Sequence, residues 1–453
     1  MKAQHRNAYI AVLVLLTAAV TLYAIPKGAK HIRNTPPQGR NATVVDSPQT
    51  AVTKEKGCVF RTVFGEEPCD SDFIYKTPQN VAKAQTDALK WLAGAQNNDG
   101  GWGAGSHARQ NVMDPHAVSS DPASTAMVAM ALLRCRNTPT DGQYSNQLNK
   151  ALNYLLASVE ASDNNALNIT NLQSTQPQVK LGQNIDVVLT SQFLTNILDY
   201  VKHDKQLQAR VEKNLNKCIS KIQRGQNNDG SFQGSGWAGV LQSSLANNAL
   251  ETAQSKGMKV DTVILENSRS FQKGNIDTKT GDVKTELGAG VVLYSVSSTS
   301  RASAKEARVA KEQIEVAKKN GTLAEKDEVT VENLRKAGFT EGDAMKYKTA
   351  YDVNESAKQQ SVRDDVMQGF GNNGGEEFLS YLQTGEGMIM GKDKEWKKWY
   401  DNMNGRLLKI QNQDGSWNGH HCITSPVFCT ATCLLILSVN NDIERLRQNN
   451  QQK

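Results

Sequence analysis

Residues 96–102 read Gln-Asn-Asn-Asp-Gly-Gly-Trp, and close copies follow at 226–232 (Gln-Asn-Asn-Asp-Gly-Ser-Phe) and 411–417 (Gln-Asn-Gln-Asp-Gly-Ser-Trp). Each copy ends an amphipathic segment. Asn and Asp tolerate left-handed backbone and bond to their own turn, and Gly supplies positive φ, so each phrase predicts a helix end and a chain reversal. We expect the Gln amide to cap neighbouring carbonyls and the aromatic side chain to stack over the next repeat.

A second helix, rich in small residues, is predicted after each turn, at residues 123–134, 239–253 and 426–439. Weaker signals fill the gaps: residues 146–159 pair with 185–201, residues 260–271 pair with 286–298, and another inner helix is predicted at 376–390. Packed together, about six such hairpins would close into a ring, whereas a solenoid stays open. The fold class expected for residues 77–441 is therefore all-α, an α/α-toroid.

Residues 301–363 interrupt the spacing of the repeats and are rich in Lys, Glu and Ala. Charges that alternate at helical spacing, with few large apolar residues, are typical of a solvated helix. We expect a charged helical insertion here, which is either a surface elaboration or a lid or partner-docking arm. Residues 442–453 are predicted to be a polar tail.

The N-terminal 25 residues carry an apolar run, residues 9–25, after Lys2, His5 and Arg6. This pattern predicts a signal peptide or a membrane anchor, and an uncleaved anchor is favoured because a small-residue cleavage site is hard to place. The folded part is expected to be extracytoplasmic, at the cell surface or in a periplasm. The basic residues that follow the run argue for the opposite orientation.

Residues 26–76 are polar and are expected to be a flexible linker. Cys58 and Cys69 lie in this stretch, and in an exported protein they would readily form a disulfide clasp; the alternative is two free thiols. The whole chain of 453 residues has 52 basic and 46 acidic residues, with no basic stripe interleaved with aromatics. No nucleic-acid partner is therefore expected.

The repeated phrase resembles the QW repeat of squalene and hopene cyclases, which protein prenyltransferase β-subunits share in looser form. The residues that carry the resemblance are Trp91, Leu92, Gln96, Gly100, Trp102, Gln411, Gly415 and Trp417, with a partial copy at Gln226 and Phe232. The resemblance to this terpene cyclase and prenyltransferase superfamily implies a toroid with an apolar central cavity. The ligand it implies is an isoprenoid, a lipid or a modified peptide.

Two features of those enzymes are missing from this sequence. The Asp-Xaa-Asp-Asp cluster that protonates squalene is absent, and aromatic residues make up only 6% of the chain, so ordinary squalene cyclisation is not expected. Prenyltransferases bind zinc through Asp, Cys and His on late inner helices. Here Cys429 stands where the His would fall, and Glu376 and Glu377 stand near the other ligands.

A cluster of His and Cys near the C-terminus is the strongest candidate for a different metal site. His421, Cys422, Cys429 and Cys433 are predicted to bind zinc, since Cys429 and Cys433 share a helix face and the first two lie on the loop before that helix. Two alternatives remain open: a Cys422–Cys429 disulfide, or unpaired buried thiols.

The residues predicted to be catalytic are Glu376, Glu377, His421 and Cys422. A glutamate facing the cavity could act as a general acid with a raised pKa, and His421 or His420 could lower the pKa of a cysteine thiol. The simpler explanation for Glu376 and Glu377 is that a helix N-terminus favours negative charge.

Two classes of function follow from these patterns. The first is an enzyme acting on an apolar ligand in the ring; the second is a membrane-tethered binding or assembly scaffold that keeps the ring without the chemistry. Zinc and inner aromatics would favour the enzyme. A centre filled by Met and Leu side chains would favour the scaffold.

Overall fold

Helices provide the regular structure in residues 76–371 and 373–440, the part of the chain that the computed structural model describes. These residues form no β-strand, only isolated β-bridges, so the all-α prediction is confirmed. None of the helices in these two ranges has the length and apolarity needed to cross a membrane. The expectations for the anchor at 1–25, the linker with Cys58 and Cys69, and the polar tail lie outside the described residues.

The α-helices of the described ranges are numbered in chain order. They are α1 Gln79–Gly94, α2 Pro122–Arg134, α3 Ser145–Ala161, α4 Gln176–Lys180, α5 Ile185–Ile197, α6 Lys205–Arg224, α7 Gly239–Ser255, α8 Thr262–Lys273, α9 Val292–Lys319, α10 Val331–Lys336, α11 Glu341–Ser361, α12 Asp364–Met367, α13 Gly375–Met390, α14 Trp396–Lys409 and α15 Pro426–Leu437. The helices expected after and before the three repeated phrases, and those expected from the weaker patterns, all appear.

The helices are arranged in two layers. The helices α2, α5, α7, α9, α13 and α15 pack each against the next in this order, and α15 packs against α2, so their contacts form a closed cycle that we call the inner ring. Their small residues permit this close approach, and all except the C-terminal part of α9 are almost completely buried. The outer helices α1, α3, α6, α8, α11 and α14 bury only one face.

Each outer helix packs on the inner helix that precedes it in the cycle, so the first helix, α1, packs on the last, α15. The glutamine of the repeated phrase bonds the turn after one outer helix to the next outer helix. Gln96 Nε2 donates to the carbonyl of Gly100 in its own turn (2.8 Å) and to that of Gln147 in the next outer helix (2.9 Å). The other copies repeat this pair: Gln226 with Gly230 and Ile264, and Gln411 with Gly415 and Ala84. The predicted capping role of the glutamine is confirmed.

The aromatic residue of the phrase is bonded within its own repeat, which differs from the expected stacking over the next one. Trp102 Nε1 donates to the carbonyl of Leu92 in α1 (2.8 Å), and the Trp102 backbone N–H donates to Thr125 Oγ1 in α2 (2.9 Å). Trp417 repeats both bonds, with Leu407 and Thr430. Each tryptophan is therefore hydrogen-bonded both to an outer helix and to the inner helix that follows it in the chain.

The boundary predicted at residue 301 is wrong. The inner helix α9 continues through it without interruption to Lys319, and its stretch 302–310 is mostly buried, not solvated. Alanines in this stretch let α11 pack closely on α9, and the charged Glu306 is buried in an ion pair with Lys273 at 2.6 Å. The part of the chain expected to be an arm therefore supplies the fifth outer helix of the ring.

Candidate functional site

The four residues predicted to be catalytic come together at the end of the ring where α13 and α15 begin. Glu376 and Glu377 lie in the first turn of α13, and His421 and Cys422 lie in the loop before α15. Two backbone bonds join these segments: Gly375 N–H to the carbonyl of Ile423 (3.0 Å), and His420 N–H to that of Asn373 (2.8 Å). The proximity expected from the sequence is thus observed.

Glu377 holds the start of α13 in place. Its Oε2 accepts the N–H of Gly374 (2.9 Å), and its Oε1 accepts the N–H of Phe370 (3.1 Å) and the hydroxyl of Tyr294 (2.6 Å). The carboxylate is fully buried, with His421 Nε2 3.7 Å from Oε2. These bonds occupy both oxygens and favour the simpler explanation, a carboxylate that stabilises a helix N-terminus.

Glu376 is different because its carboxyl group has few partners. It is 1% exposed, and its Oε2 accepts one bond, from the backbone N–H of Ile423 (3.2 Å). Burial, and secondly the neighbouring Glu377, raise the pKa of Glu376 to about 8. The group is therefore a neutral carboxylic acid near pH 7, able to donate a proton.

Cys422 is half-buried and has a left-handed backbone, with φ of 59°. Burial and then Glu376 raise the pKa of its thiol to about 11, although a hydrogen bond with Lys180 acts in the opposite direction. The thiol is therefore protonated near neutral pH, and a protonated thiol is a poor nucleophile. The expected lowering of its pKa by a histidine is not found.

Cys429 and Cys433 lie deeper along α15 and are fully buried. Burial raises the pKa of both thiols well above the ordinary value, and Cys429 Sγ donates to the carbonyl of Ile423 (3.4 Å). All the cysteines of the described ranges are free, so Cys422 and Cys429 form no disulfide. This agrees with the third alternative, unpaired thiols in a small-residue helix.

The zinc prediction finds no geometric support in the described part of the chain. Among those residues, no three or more His, Cys, Asp or Glu side chains are gathered as a metal ion would require. His421, Cys422, Cys429 and Cys433 therefore do not fit a zinc ion as they lie. The zinc site stays a prediction, and no step below depends on it.

Three side chains that the sequence did not single out complete this end of the ring. Lys180, at the end of α4, is buried and lies over the ring of Trp237, 3.8 Å from its centroid. Gln176, one turn earlier, accepts the N–H of Thr424 through Oε1 (2.7 Å), and Tyr294 bonds to Glu377 as described. No local pattern marks these residues, because their contacts depend on ring closure.

The centre of the inner ring is nearly filled. A space of about 30 Å³ remains, lined by side chains from all six inner helices: Met127, Met130, Leu133, Arg134, Gln192, Asn196, Leu245, Asn248, Arg301, Leu379, Leu382, Gln383, Glu386 and Leu435. Methionine and leucine supply its apolar part, and no aromatic side chain lines it. Two arginines and a glutamate supply charge, which the sequence did not predict.

Comparison of the chain with models of known protein families and with curated proteins gave no match. The resemblance of the repeated phrase therefore rests on the residues quoted above. Function has to be argued from the geometry of the ring and its end, since one fold serves many functions.

The pH dependence of stability provides a test of the environment of Glu376. Its pKa is about 8 in the folded chain against an ordinary value of 4.5, so between these values the folded state retains a proton that the unfolded state has lost. Raising the pH through this window should destabilise the wild type. The wild type should lose free energy of unfolding on the order of 2 kcal/mol, after relaxation around the charge. We expect no such loss in Glu376→Gln, because glutamine does not ionise.

The measurement is the free energy of unfolding from urea titrations at several pH values between the two pKa values. Glu325→Gln is the matched control, because Glu325 is exposed on the surface and should leave the wild-type slope unchanged. If the free energy of unfolding changed with pH in the same way in the wild type and in Glu376→Gln, the Glu376 carboxyl would not be held neutral by burial.

Proposed function

We propose that the chain is an α/α-toroid of the prenyltransferase-repeat type that acts as a binding or assembly scaffold. In this proposal residues 1–25 tether it to a membrane, with the ring on the extracytoplasmic side. The observation that carries the proposal is the filled centre of the ring. Pockets for small organic ligands are typically about 300–1,000 Å³, an order of magnitude more than the space of about 30 Å³ between the inner helices.

The chemistry at the end of the ring supports the same proposal. Glu377 is occupied in holding α13, and burial keeps the thiols of Cys422, Cys429 and Cys433 protonated. The protonating Asp cluster of the cyclases is also absent from the sequence. A scaffold needs the closed ring and its surfaces, and it does not need an activated group inside.

Ligand binding tests the proposal. The purified full-length chain would be titrated with farnesol and with a long-chain fatty acid by isothermal calorimetry. A scaffold with a filled centre is expected to show no saturable binding of either. Saturable one-to-one binding that the cavity-filling Leu245→Trp abolishes would overturn it, because Leu245 lines the central space.

One observation favours a second candidate, an enzyme that acts on an isoprenoid, a lipid or a modified peptide. Glu376 is a buried, neutral acid, and the half-buried Cys422 and the buried Lys180 lie beside it. Such an acid could protonate an apolar substrate at this end of the ring. The chain would be incubated with squalene and with geranylgeranyl diphosphate, and the products analysed by mass spectrometry. Turnover that Glu376→Gln abolishes would favour the enzyme over the scaffold.

A further inference from the structure

An open recess lies on the surface where the first and the last repeats meet, and we call it the seam recess. Its volume is about 570 Å³, within the range of about 300–1,000 Å³ that is typical of sites for small molecules. The helix α1 forms one wall, and the turn of the last repeat at residues 413–414 forms another. None of the residues that line it belongs to the inner ring or to the cluster around Glu376.

Trp91 supplies the aromatic surface of the seam recess. It is partly buried, since it packs against the hydrophobic core and also lines the recess. The indole N–H groups of Trp102 and Trp417 each donate to a backbone carbonyl, whereas that of Trp91 has no acceptor among the described residues and is open to solvent. Trp91 thus offers a ligand both an apolar surface and an unused donor.

The polar groups beside Trp91 are also unused. The side chains of Lys90 and Gln413 make no hydrogen bond within the described part of the chain. Asp414 uses only one of its oxygens there: Oδ1 accepts the N–H of Ser416 (3.0 Å), and Oδ2 has no partner. Donors and acceptors therefore converge on the indole from two walls of the recess.

The charges that line the seam recess cancel. Two lysines, Lys83 and Lys90, face two aspartates, Asp87 and Asp414, and Lys83 is already paired with Asp87 at 2.5 Å. A balanced lining gives a nucleotide or another anion no net attraction. It suits hydroxyl groups, because each hydroxyl both donates and accepts.

The aromatic surface narrows the ligand further. The face of an indole carries partial negative charge, which attracts the C–H groups on the apolar side of a sugar ring. A proline-rich peptide also packs on tryptophan, but proline has no N–H to donate. Such a peptide would leave the oxygens of Gln413 and Asp414 without donors, whereas a saccharide satisfies them through its hydroxyls.

The wall opposite α1 is held in place by His116. Its Nε2 lies 3.0 Å from the carbonyl oxygen of Gly94, and its Nδ1 lies 3.4 Å from Asn97 Oδ1. Pro115, which also lines the recess, restricts the backbone beside it. Because this wall is already ordered, binding loses little conformational entropy there.

An equivalent junction elsewhere in the ring lacks these free groups. A Cβ at Gly415 would lie 2.8 Å from Asp87, and one at Gly100 would lie 2.9 Å from Lys150. Tyr154 follows Lys150 at the spacing with which Trp91 follows Asp87. Asn153 stands there in the place of Lys90, but it accepts a hydrogen bond from Arg210 (3.1 Å). The junction is therefore shared packing, and the available polar groups are particular to the seam.

We propose that the seam recess is a binding site for a neutral saccharide, with one sugar ring stacked on Trp91. Its hydroxyls bond to Lys90 on α1 and to Gln413 and Asp414 in the last turn. Because these residues come from the first and the last repeats, the site forms only when the ring closes. It goes beyond the proposed function and does not depend on whether the chain is a scaffold or an enzyme.

Calorimetric titration of the full-length chain with cellotriose, maltotriose, mannotriose and triacetylchitotriose tests the site. At least one of them should bind one-to-one, with a dissociation constant of about 0.1–1 mM. Trp91→Ala should weaken that binding at least about tenfold, and Gln413→Ala about threefold. Gln413 is exposed, so its variant should fold normally. Tyr154→Ala is the matched control, because it alters the equivalent junction without touching the recess, and binding should be unchanged.

Hydroxyl-radical footprinting of the wild type gives a second readout that needs no variant. The bound saccharide should protect Trp91 and leave Trp237, which is 63% exposed and does not line the recess, unchanged. No saturable binding of any of the four saccharides would overturn the proposal, and so would binding that leaves Trp91 unprotected or that Trp91→Ala does not weaken. None of these results would bear on the scaffold, which is argued from the centre of the ring.

Discussion

Replacing Arg301 with methionine is expected to lower the free energy of unfolding by about 3–5 kcal/mol. Arg301 is 1% exposed and contacts both Glu251 and Glu386, so its removal leaves two carboxylates in the interior with one cation fewer. The pKa of Glu251 is held at about 2 because Arg269 and Arg301 outweigh the effect of its burial, which shows how strongly these cations stabilise its charge.

Urea denaturation of the wild type and Arg301→Met measures this loss. Lys83→Met is the control, since Lys83 pairs with Asp87 on the surface, where an exposed ion pair contributes about 0–1 kcal/mol. The double variant Arg301→Met with Glu251→Leu should recover part of the lost stability, because it removes one of the unpaired charges. A loss below about 1 kcal/mol for Arg301→Met would contradict a stabilising buried ion pair between Arg301 and Glu251.

The second large effect is expected at the turn that joins the last repeat to the first. Gly415 has φ of 92°, and a Cβ at this position would lie 2.8 Å from the backbone carbonyl carbon of Asp87 in α1. Gly415→Ala should therefore cost about 3 kcal/mol, which combines left-handed strain with a clash against the neighbouring backbone.

Gly281→Ala is the matched control for this substitution. Gly281 also has positive φ, 80°, but a Cβ there would meet nothing within 4 Å, so only the strain of about 1 kcal/mol is expected. Denaturant titration of both variants separates the two contributions. Equal losses in the two variants would mean that α1 does not pack against the last turn.

The repeated phrase predicted three outer helices and the three inner helices that follow them because its chemistry is local. A glycine with positive φ and Asp or Asn bonded to its own turn specify a chain reversal without help from distant residues. The hydrogen-bond partner of the aromatic side chain could not be predicted in this way. Trp102 and Trp417 donate to carbonyls of their own outer helix, and nothing in the phrase distinguishes that from packing on the next repeat.

The boundary at residue 301 is misplaced because charged residues at helical spacing do not by themselves indicate exposure to solvent. Glu306 and Arg308 are buried, and both are ion-paired, Glu306 with Lys273 and Arg308 with Glu312. Lys273 lies on a different helix, α8, and Glu312 lies one turn further along α9 itself. A helix that is buried on all sides has no apolar stripe confined to one face. Its sequence therefore does not show that its charged residues are buried, and they look like those of a surface helix.

The candidate site was predicted in part. Glu376, Glu377, His421 and Cys422 lie together because consecutive inner helices start at the same end of the ring. Lys180 was missed, since it reaches Cys422 only when the second and the last repeats are brought together. The arginines of the ring centre were missed for the same reason, as their partners lie on non-adjacent parts of the chain.

The closure of the ring, with α1 packed on α15, is tested by a distance between the first and the last repeat. Spin labels would be attached through non-natural ketone residues at Lys90 and Gln413, which line one surface recess, because the chain has seven native cysteines. Neighbouring helices lie about 8–10 Å apart, so with label tethers added the closed ring predicts a narrow distribution centred below about 25 Å. An open row of hairpins at the same spacing would separate the labels by about 50 Å, and that result would rule out a closed ring.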